Sequence, residues 1–82
     1  MVLTLFVNDP LGKRCRINLE AAMRVKKEYP LEVKVINKSS AEYRKLADPP
    51  PCPSVILDGR VIKEYGVVSS DDLKEELLKF IL

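Results

Sequence analysis

Residues 49–62 read Pro-Pro-Pro-Cys-Pro-Ser-Val-Ile-Leu-Asp-Gly-Arg-Val-Ile, and this stretch decides the fold. Four of the six prolines of the chain stand within five positions, with Cys52 among them. Proline cannot donate a hydrogen bond to a sheet, so we expect Pro53 to begin a strand rather than lie inside it. An X-Pro bond at such a start is also where a cis peptide costs little. Asp58-Gly59 between two apolar runs predicts a hairpin of strands over residues 55–57 and 60–63.

The chain before this stretch alternates strands and a helix. Residues 2–7 form a nearly continuous apolar run, typical of a central strand buried on both faces. From Cys15 to Tyr29 the apolar positions recur in steps of three and four, which predicts a helix that Pro30 ends. Residues 31–36 alternate apolar and charged side chains, so they indicate a half-exposed strand.

Two further helices are predicted from their caps. Residues 39–42, Ser-Ser-Ala-Glu, form a capping box for a short helix. We expect Tyr43, Leu46 and Ala47 to face inward from it. Ser69 or Ser70 caps a last helix, with two acidic residues in its first turn. Its predicted buried face consists of Leu73, Leu77, Phe80 and Ile81.

The predicted order is therefore β-α-β-α-β-β-α in a single domain over residues 1–82. The first β-α-β unit favours a parallel pair with a right-handed crossover, and the hairpin adds antiparallel strands. We expect an α/β fold with a four-stranded mixed sheet and helices on both faces.

Composition excludes several classes of function. The net charge of +2 is too small to indicate a nucleic-acid partner, and no apolar run approaches the length of a membrane span. The start of the chain lacks signal-peptide features, so we expect a cytoplasmic protein. We also expect it to act as a monomer. The chain has no histidine, which excludes Ser-His, Cys-His and His-metal chemistry within one chain. The two cysteines match no zinc-ligand spacing, and no metal site is predicted.

With a proline before the third strand and a cysteine opening the first helix, this order resembles the thioredoxin fold. It is most similar to small glutaredoxin-like and thioredoxin-like domains, over essentially the whole chain. The resemblance implies that residues 12–15, Gly-Lys-Arg-Cys, occupy the place of the family's Cys-x-x-Cys. It also implies that Pro53 is the cis-proline of the groove and that Gly66 and Val67 form the glycine loop. Gly12 then stands where the first, nucleophilic cysteine would be, so the ordinary dithiol cycle lacks its first thiol.

Cys15 has two interpretations. Lys13, Arg14 and Arg16 surround it at a helix start, and such cations favour a reactive thiolate. Alternatively, Cys15 begins the apolar stripe of the helix and is a small buried hydrophobic residue.

Cys52 precedes the proline that the resemblance assigns to the groove, which would set it on the wall facing Cys15. Three arrangements stay open. The two thiols could form a disulfide, which needs Cα atoms closer than roughly 7 Å. They could supply two ligands to a metal that a second chain completes, or they could stay unpaired.

Lys13, Arg14 and Arg16 also form a candidate anion-binding site. With Gly66, Val67 and the backbone near Pro53, the resemblance implies that they could hold an anionic peptide such as glutathione. Asp71-Asp72 loosely resembles the acidic pair that meets glutathione in glutaredoxins. The alternative is that these charges only complement helix dipoles and solvate the surface.

Three functions follow from these patterns. The first is thiol-disulfide exchange through Cys15 and Cys52 with a protein or peptide thiol partner. The second is a catalytically inactive thioredoxin-fold module that binds a peptide or partner in the cis-proline groove. The third is an assembly role, with thiolates of two chains sharing a metal.

Overall fold

The computed structural model describes the backbone of residues 1–81 and the side chains of residues 1–79. Its strands are β1 (Val2–Val7), β2 (Glu32–Asn37), β3 (Ser54–Leu57) and β4 (Arg60–Lys63). Its helices are α1 (Lys13–Glu28), α2 (Ala41–Arg44) and α3 (Ser70–Ile81). This is the succession of strands and helices expected from the sequence.

The four strands form one mixed sheet in the order β2-β1-β3-β4. β1 runs parallel to β2, whereas β1 pairs with β3, and β3 with β4, in antiparallel fashion. The predicted α/β class and four-stranded mixed sheet are therefore confirmed. β1 is an inner strand, and its apolar run suits a strand that is buried on both faces of the sheet. β2 and β4 are the two edge strands.

One face of the sheet carries most of the buried side chains. Because side chains alternate along a strand, Leu3, Leu5 and Val7 of β1 all point to this face. α1 and α3 cover it, and α1 packs against α3 as well as against β1 and β2. We call the buried cluster here the main core; it consists of Leu3, Leu5, Val7, Cys15, Ala21, Ala22, Val25, Leu31, Val55, Leu57, Val68, Leu73 and Leu77.

The opposite face carries a much smaller cluster. We call it the small core; its buried members are Phe6, Ile36 and Cys52, with Tyr43 and Ile56 partly buried against them. The rings of Phe6 and Tyr43 meet edge to face, with centroids 6.2 Å apart. α2 contributes to this face only through its single turn, so helices do lie on both faces, but very unequally.

The prediction for the inward face of α2 was wrong. The helix is capped by the Ser40 side chain, which accepts a hydrogen bond from the Tyr43 backbone N–H. It ends at Arg44, so Leu46 and Ala47 do not face inward and are exposed. A single turn can direct only one residue, Tyr43, toward the sheet before the chain extends into the proline run.

Other boundaries moved by one or two residues. α1 begins at Lys13, with Gly12 as its N-cap, and Tyr29 is its C-cap instead of a helical residue. Ser69 caps α3, since its hydroxyl accepts the Asp72 backbone N–H (3.0 Å) and the Asp72 carboxylate accepts the Ser69 N–H (3.1 Å). The predicted inward positions of Phe80 and Ile81 lie outside the described side chains. No helix within residues 1–81 is both long and apolar enough to cross a membrane.

Candidate functional site

The start of α1 combines an open position with a buried thiol. Gly12 is exposed and has extended backbone angles, and no atom beyond its two chain neighbours lies within 4 Å of the place where a Cβ would stand. One turn later, Cys15 is 0% exposed and belongs to the main core. The structure thus places a residue without a side chain at the surface and the sulfur beneath it.

Asn8, at the end of β1, contacts both cysteine residues. Its backbone N–H donates to Cys15 Sγ at 3.3 Å, and its side-chain Nδ2 lies 3.8 Å from the same sulfur. Nδ2 also donates to the carbonyl oxygen of Cys52 at 3.4 Å. Asn8 therefore joins the helix start to the segment before β3, a role that the sequence analysis missed.

Cys52 lies at the other side of Asn8. The peptide bond from Cys52 to Pro53 is cis, and Pro53 is fully buried. Cys52 is 5% exposed, and both cysteines are free thiols in this structure. Cys15 packs in the main core and Cys52 in the small core, so the two thiols lie in separate apolar clusters.

Burial and three neighbouring groups shift the pKa of the Cys52 thiol. Burial raises the pKa of the Cys52 thiol above its ordinary value of 9.0, and a charge on Cys15 adds to that rise. A hydrogen bond with Tyr43 and the charge of Lys38 oppose it only in part. The pKa of Tyr43 is itself raised by burial and by Cys52. Because the thiolate is the nucleophile, a thiol that stays protonated near neutral pH reacts poorly.

The segment that follows β4 is fastened to Pro53 and Ser54. The Gly66 N–H donates to the Pro53 carbonyl at 3.0 Å, and the Tyr65 N–H donates to Ser54 Oγ at 3.1 Å. On its other side, the buried amide of Asn18 donates to the Gly66 carbonyl (3.0 Å) and accepts the Val68 N–H (2.8 Å). These bonds hold residues 65–68 in a fixed position between α1 and the start of β3.

The sequence did contain a signal for Asn18. It stands three residues after Cys15 and four before Ala22, so it shares their buried face of α1. A polar residue inside an apolar stripe must find hydrogen-bond partners when buried. The partners themselves, being backbone groups about fifty residues away, could not be read from that pattern.

The basic residues of the candidate anion site lie on the surface, and Arg14 lies beside this segment. Lys13, Arg14 and Arg16 are exposed, and none forms an ion pair with any other residue in the described part of the chain. The Arg14 guanidinium carbon lies 4.5 Å from the ring centroid of Tyr65, which is 57% exposed. Tyr65 has a φ of 51°, an uncommon angle for a residue with a side chain. We call Lys13, Arg14, Arg16 and Tyr65 the basic ridge.

The predicted groove residues are only partly brought together. Pro53 and Gly66 are joined by a hydrogen bond, whereas Val67 is exposed and faces a cavity between β4 and α3. Asp72, the second residue of the acidic pair, is engaged in the cap of α3. Among residues 1–81, no three Cys, Asp or Glu side chains converge to hold a metal ion.

Comparisons with known proteins add no assignment. No protein-family model matches the chain, and no curated protein matches it in sequence.

Proposed function

We propose that this chain is a thioredoxin-like domain that binds an extended acidic segment of a partner protein and does not run a dithiol cycle. The observation that carries the proposal is the mismatch at the start of α1. The exposed position, Gly12, has no side chain, while the available thiol of Cys15 is wholly enclosed.

Both thiols are poorly suited to attack a disulfide of another protein. Such an attack needs a sulfur that a second molecule can reach and that is ionised at the working pH. Cys15 is inaccessible, and the raised pKa of Cys52 keeps its nearly buried thiol protonated near neutral pH.

The basic ridge supports binding of an acidic partner. Its three cations face solvent without ion-pair partners among the described residues, so a carboxylate could approach them without breaking an existing bridge. Arg14 is held over the Tyr65 ring, and Tyr65 is fixed by its backbone bond to Ser54. A surface that is already ordered loses less conformational entropy when a ligand binds.

Titration with synthetic peptides tests this proposal. We expect a Glu-rich peptide to shift the NMR signals of Arg14 and Tyr65, and a Lys-rich peptide of equal length to leave them unchanged. Glutathione, which is also anionic, is titrated in parallel. Arg14→Gln should weaken binding of the acidic peptide about two- to five-fold, as expected for one exposed charge pair.

Arg24→Gln, an exposed position farther along α1, is the matched control and should bind like the wild type. Absence of shifts at millimolar acidic peptide, or equal shifts with both peptides, would contradict the proposal.

Thiol-disulfide exchange through Cys15 and Cys52 is the second candidate, because Asn8 lies against the Cys15 sulfur and the Cys52 backbone carbonyl and so holds the two residues near one another. One thiolate would attack a partner disulfide and release the first partner thiol. The other would then attack the mixed disulfide, release the second partner thiol and leave a Cys15–Cys52 disulfide.

Mass spectrometry after incubation with a cystine-bridged peptide distinguishes the candidates. A mixed disulfide that accumulates in Cys15→Ser or Cys52→Ser supports exchange, and unmodified protein in all forms supports binding.

A further inference from the structure

The small-core face of the sheet has a groove that the proposed function does not use. It has a volume of about 270 Å³ and is walled by the prolines at 49–51. Ile56 and Val61, which pair across β3 and β4, form its floor. We call this the proline-walled groove. It is distinct from the basic ridge in both residues and charge.

The floor of this groove is apolar and incompletely covered. Val61 is 55% exposed although it lies on a strand, and its partner Ile56 is only partly buried. α2 ends at Arg44 and packs on β2, so the described helices leave the β3–β4 side of this face open. Because Ile56 and Val61 pair across the two strands, their uncovered apolar surface is contiguous, and an apolar patch rimmed by charged residues is a feature of interaction sites.

The charge of the groove is opposite to that of the chain. The chain carries a net charge of +2, but the charged residues that line the groove are both acidic, Asp48 and Glu64. Neither forms an ion pair with another residue of the described part of the chain. Two unneutralised carboxylates at the margin of an apolar floor complement a ligand that is basic and apolar at once.

The shape of the groove favours a peptide over a small molecule. Its volume is below the roughly 300–1,000 Å³ that is usual for small-molecule sites, and it can receive one or two side chains. β4 is the last strand of the sheet, and its outer side pairs with no other described strand. An extended peptide can add to such an edge through main-chain hydrogen bonds, with alternate side chains entering the adjacent pocket.

We infer that the proline-walled groove and the edge of β4 bind an extended segment of a partner protein in which an apolar side chain is flanked by Lys or Arg. The apolar side chain covers Ile56 and Val61, and the flanking cations meet Asp48 and Glu64. This surface would let the domain hold a basic segment while the basic ridge holds an acidic one.

Three synthetic peptides of equal length test this inference on the full chain by NMR. One alternates Lys and Val, one alternates Glu and Val, and one alternates Lys and Ser. We expect only the Lys-Val peptide to shift the methyl signals of Ile56 and Val61 and the amide signals of β4. Either no shift at millimolar Lys-Val peptide or equal shifts with the Lys-Ser peptide would overturn the inference.

Variants separate charge from apolar contact. Asp48→Asn and Glu64→Gln should each weaken binding of the Lys-Val peptide about two- to five-fold. This is the size of effect expected for one exposed charge pair. Glu20→Gln, an exposed carboxylate on α1 across the sheet, is the matched control and should not change binding. Circular dichroism of each variant shows that it is folded, so a loss of binding reflects the surface.

Self-association is the remaining alternative occupant. If the Val61 methyl signals shift with protein concentration in the absence of peptide, and sedimentation shows a dimer, the groove binds a second copy and the inference is wrong. Concentration-independent signals together with the Lys-Val response support it.

Discussion

The two faces of the sheet differ sharply in how they are covered. The main core lies under two long helices and draws buried side chains from strands, helices and loops. The small core has three buried residues, a helix of one turn and an open margin along β3 and β4. The first face holds most of the buried side chains, whereas the second leaves Val61 exposed and Ile56 only partly buried.

The same contrast separates the two cysteines. Cys15 is enclosed in the main core, where a thiol serves as a small apolar side chain. Cys52 lies in the small core next to a titratable hydroxyl, and its environment changes its pKa. Residue type alone therefore does not make the two thiols equivalent.

The largest expected effect compares neighbouring residues of β3 that point to opposite faces. Leu57→Ala and Ile56→Ala remove the same number of carbon atoms, from a fully buried and a partly buried side chain. We expect Leu57→Ala to lower the free energy of unfolding by about 3–4 kcal/mol, and Ile56→Ala by about 1–2 kcal/mol. Urea denaturation measures both. Equal losses would mean that the two faces contribute alike.

The cysteines give a second, smaller comparison. Cys15→Ser places a hydroxyl among apolar side chains and should cost about 1–3 kcal/mol of unfolding free energy. Cys52→Ser should cost less than about 1 kcal/mol, because the Tyr43 hydroxyl, which donates to the Pro50 carbonyl (2.8 Å), can still accept a hydrogen bond from the new hydroxyl. Thermal denaturation of the two variants in parallel checks the order. A greater loss of stability in Cys52→Ser than in Cys15→Ser would contradict our view that Cys15 is the more important core residue.

The smallest expected effect is a dependence on alkaline pH. In the unfolded chain the Cys52 thiol has its ordinary pKa of 9.0. In the folded state its pKa is higher, so the native protein binds more protons than the unfolded chain above that pH. Stability is then full below the unfolded pKa and falls as the pH rises toward the folded pKa. Raising the pH from 7 to 10 should therefore reduce wild-type stability more than that of Cys52→Ser. Parallel pH curves for the two proteins would show that burial of Cys52 has no such effect.

Much of the fold could be predicted because its elements are specified locally. The apolar run of β1, the spacing along α1 and the Asp58-Gly59 turn each act within a few residues, and each formed as expected. The predicted length of α2 was wrong because the helix ends where the following proline run directs the chain away. A capping box indicates where a helix begins, not where it ends.

The candidate site was harder to predict because its connections are distant in sequence. Asn8 and Asn18 determine how α1 meets the segments around Pro53 and Gly66, through hydrogen bonds to groups far along the chain. The sequence pattern of α1 shows only that Asn18 is on the buried face of the helix. The proline-walled groove is open because α2 is short, and the local sequence pattern does not predict the length of α2.

Reduction of insulin disulfides in the presence of dithiothreitol tests the central claim most directly, that this domain acts by binding and not by dithiol exchange. The assay compares the wild type with Gly12→Cys, which adds an exposed thiol three residues before Cys15 at a position with open space around it. Gly12→Ser is the matched control, because it adds a side chain of similar size without sulfur. We predict no catalysis by the wild type or Gly12→Ser, and measurable catalysis by Gly12→Cys. Catalysis by the wild type that Cys15→Ser or Cys52→Ser abolishes would contradict the account.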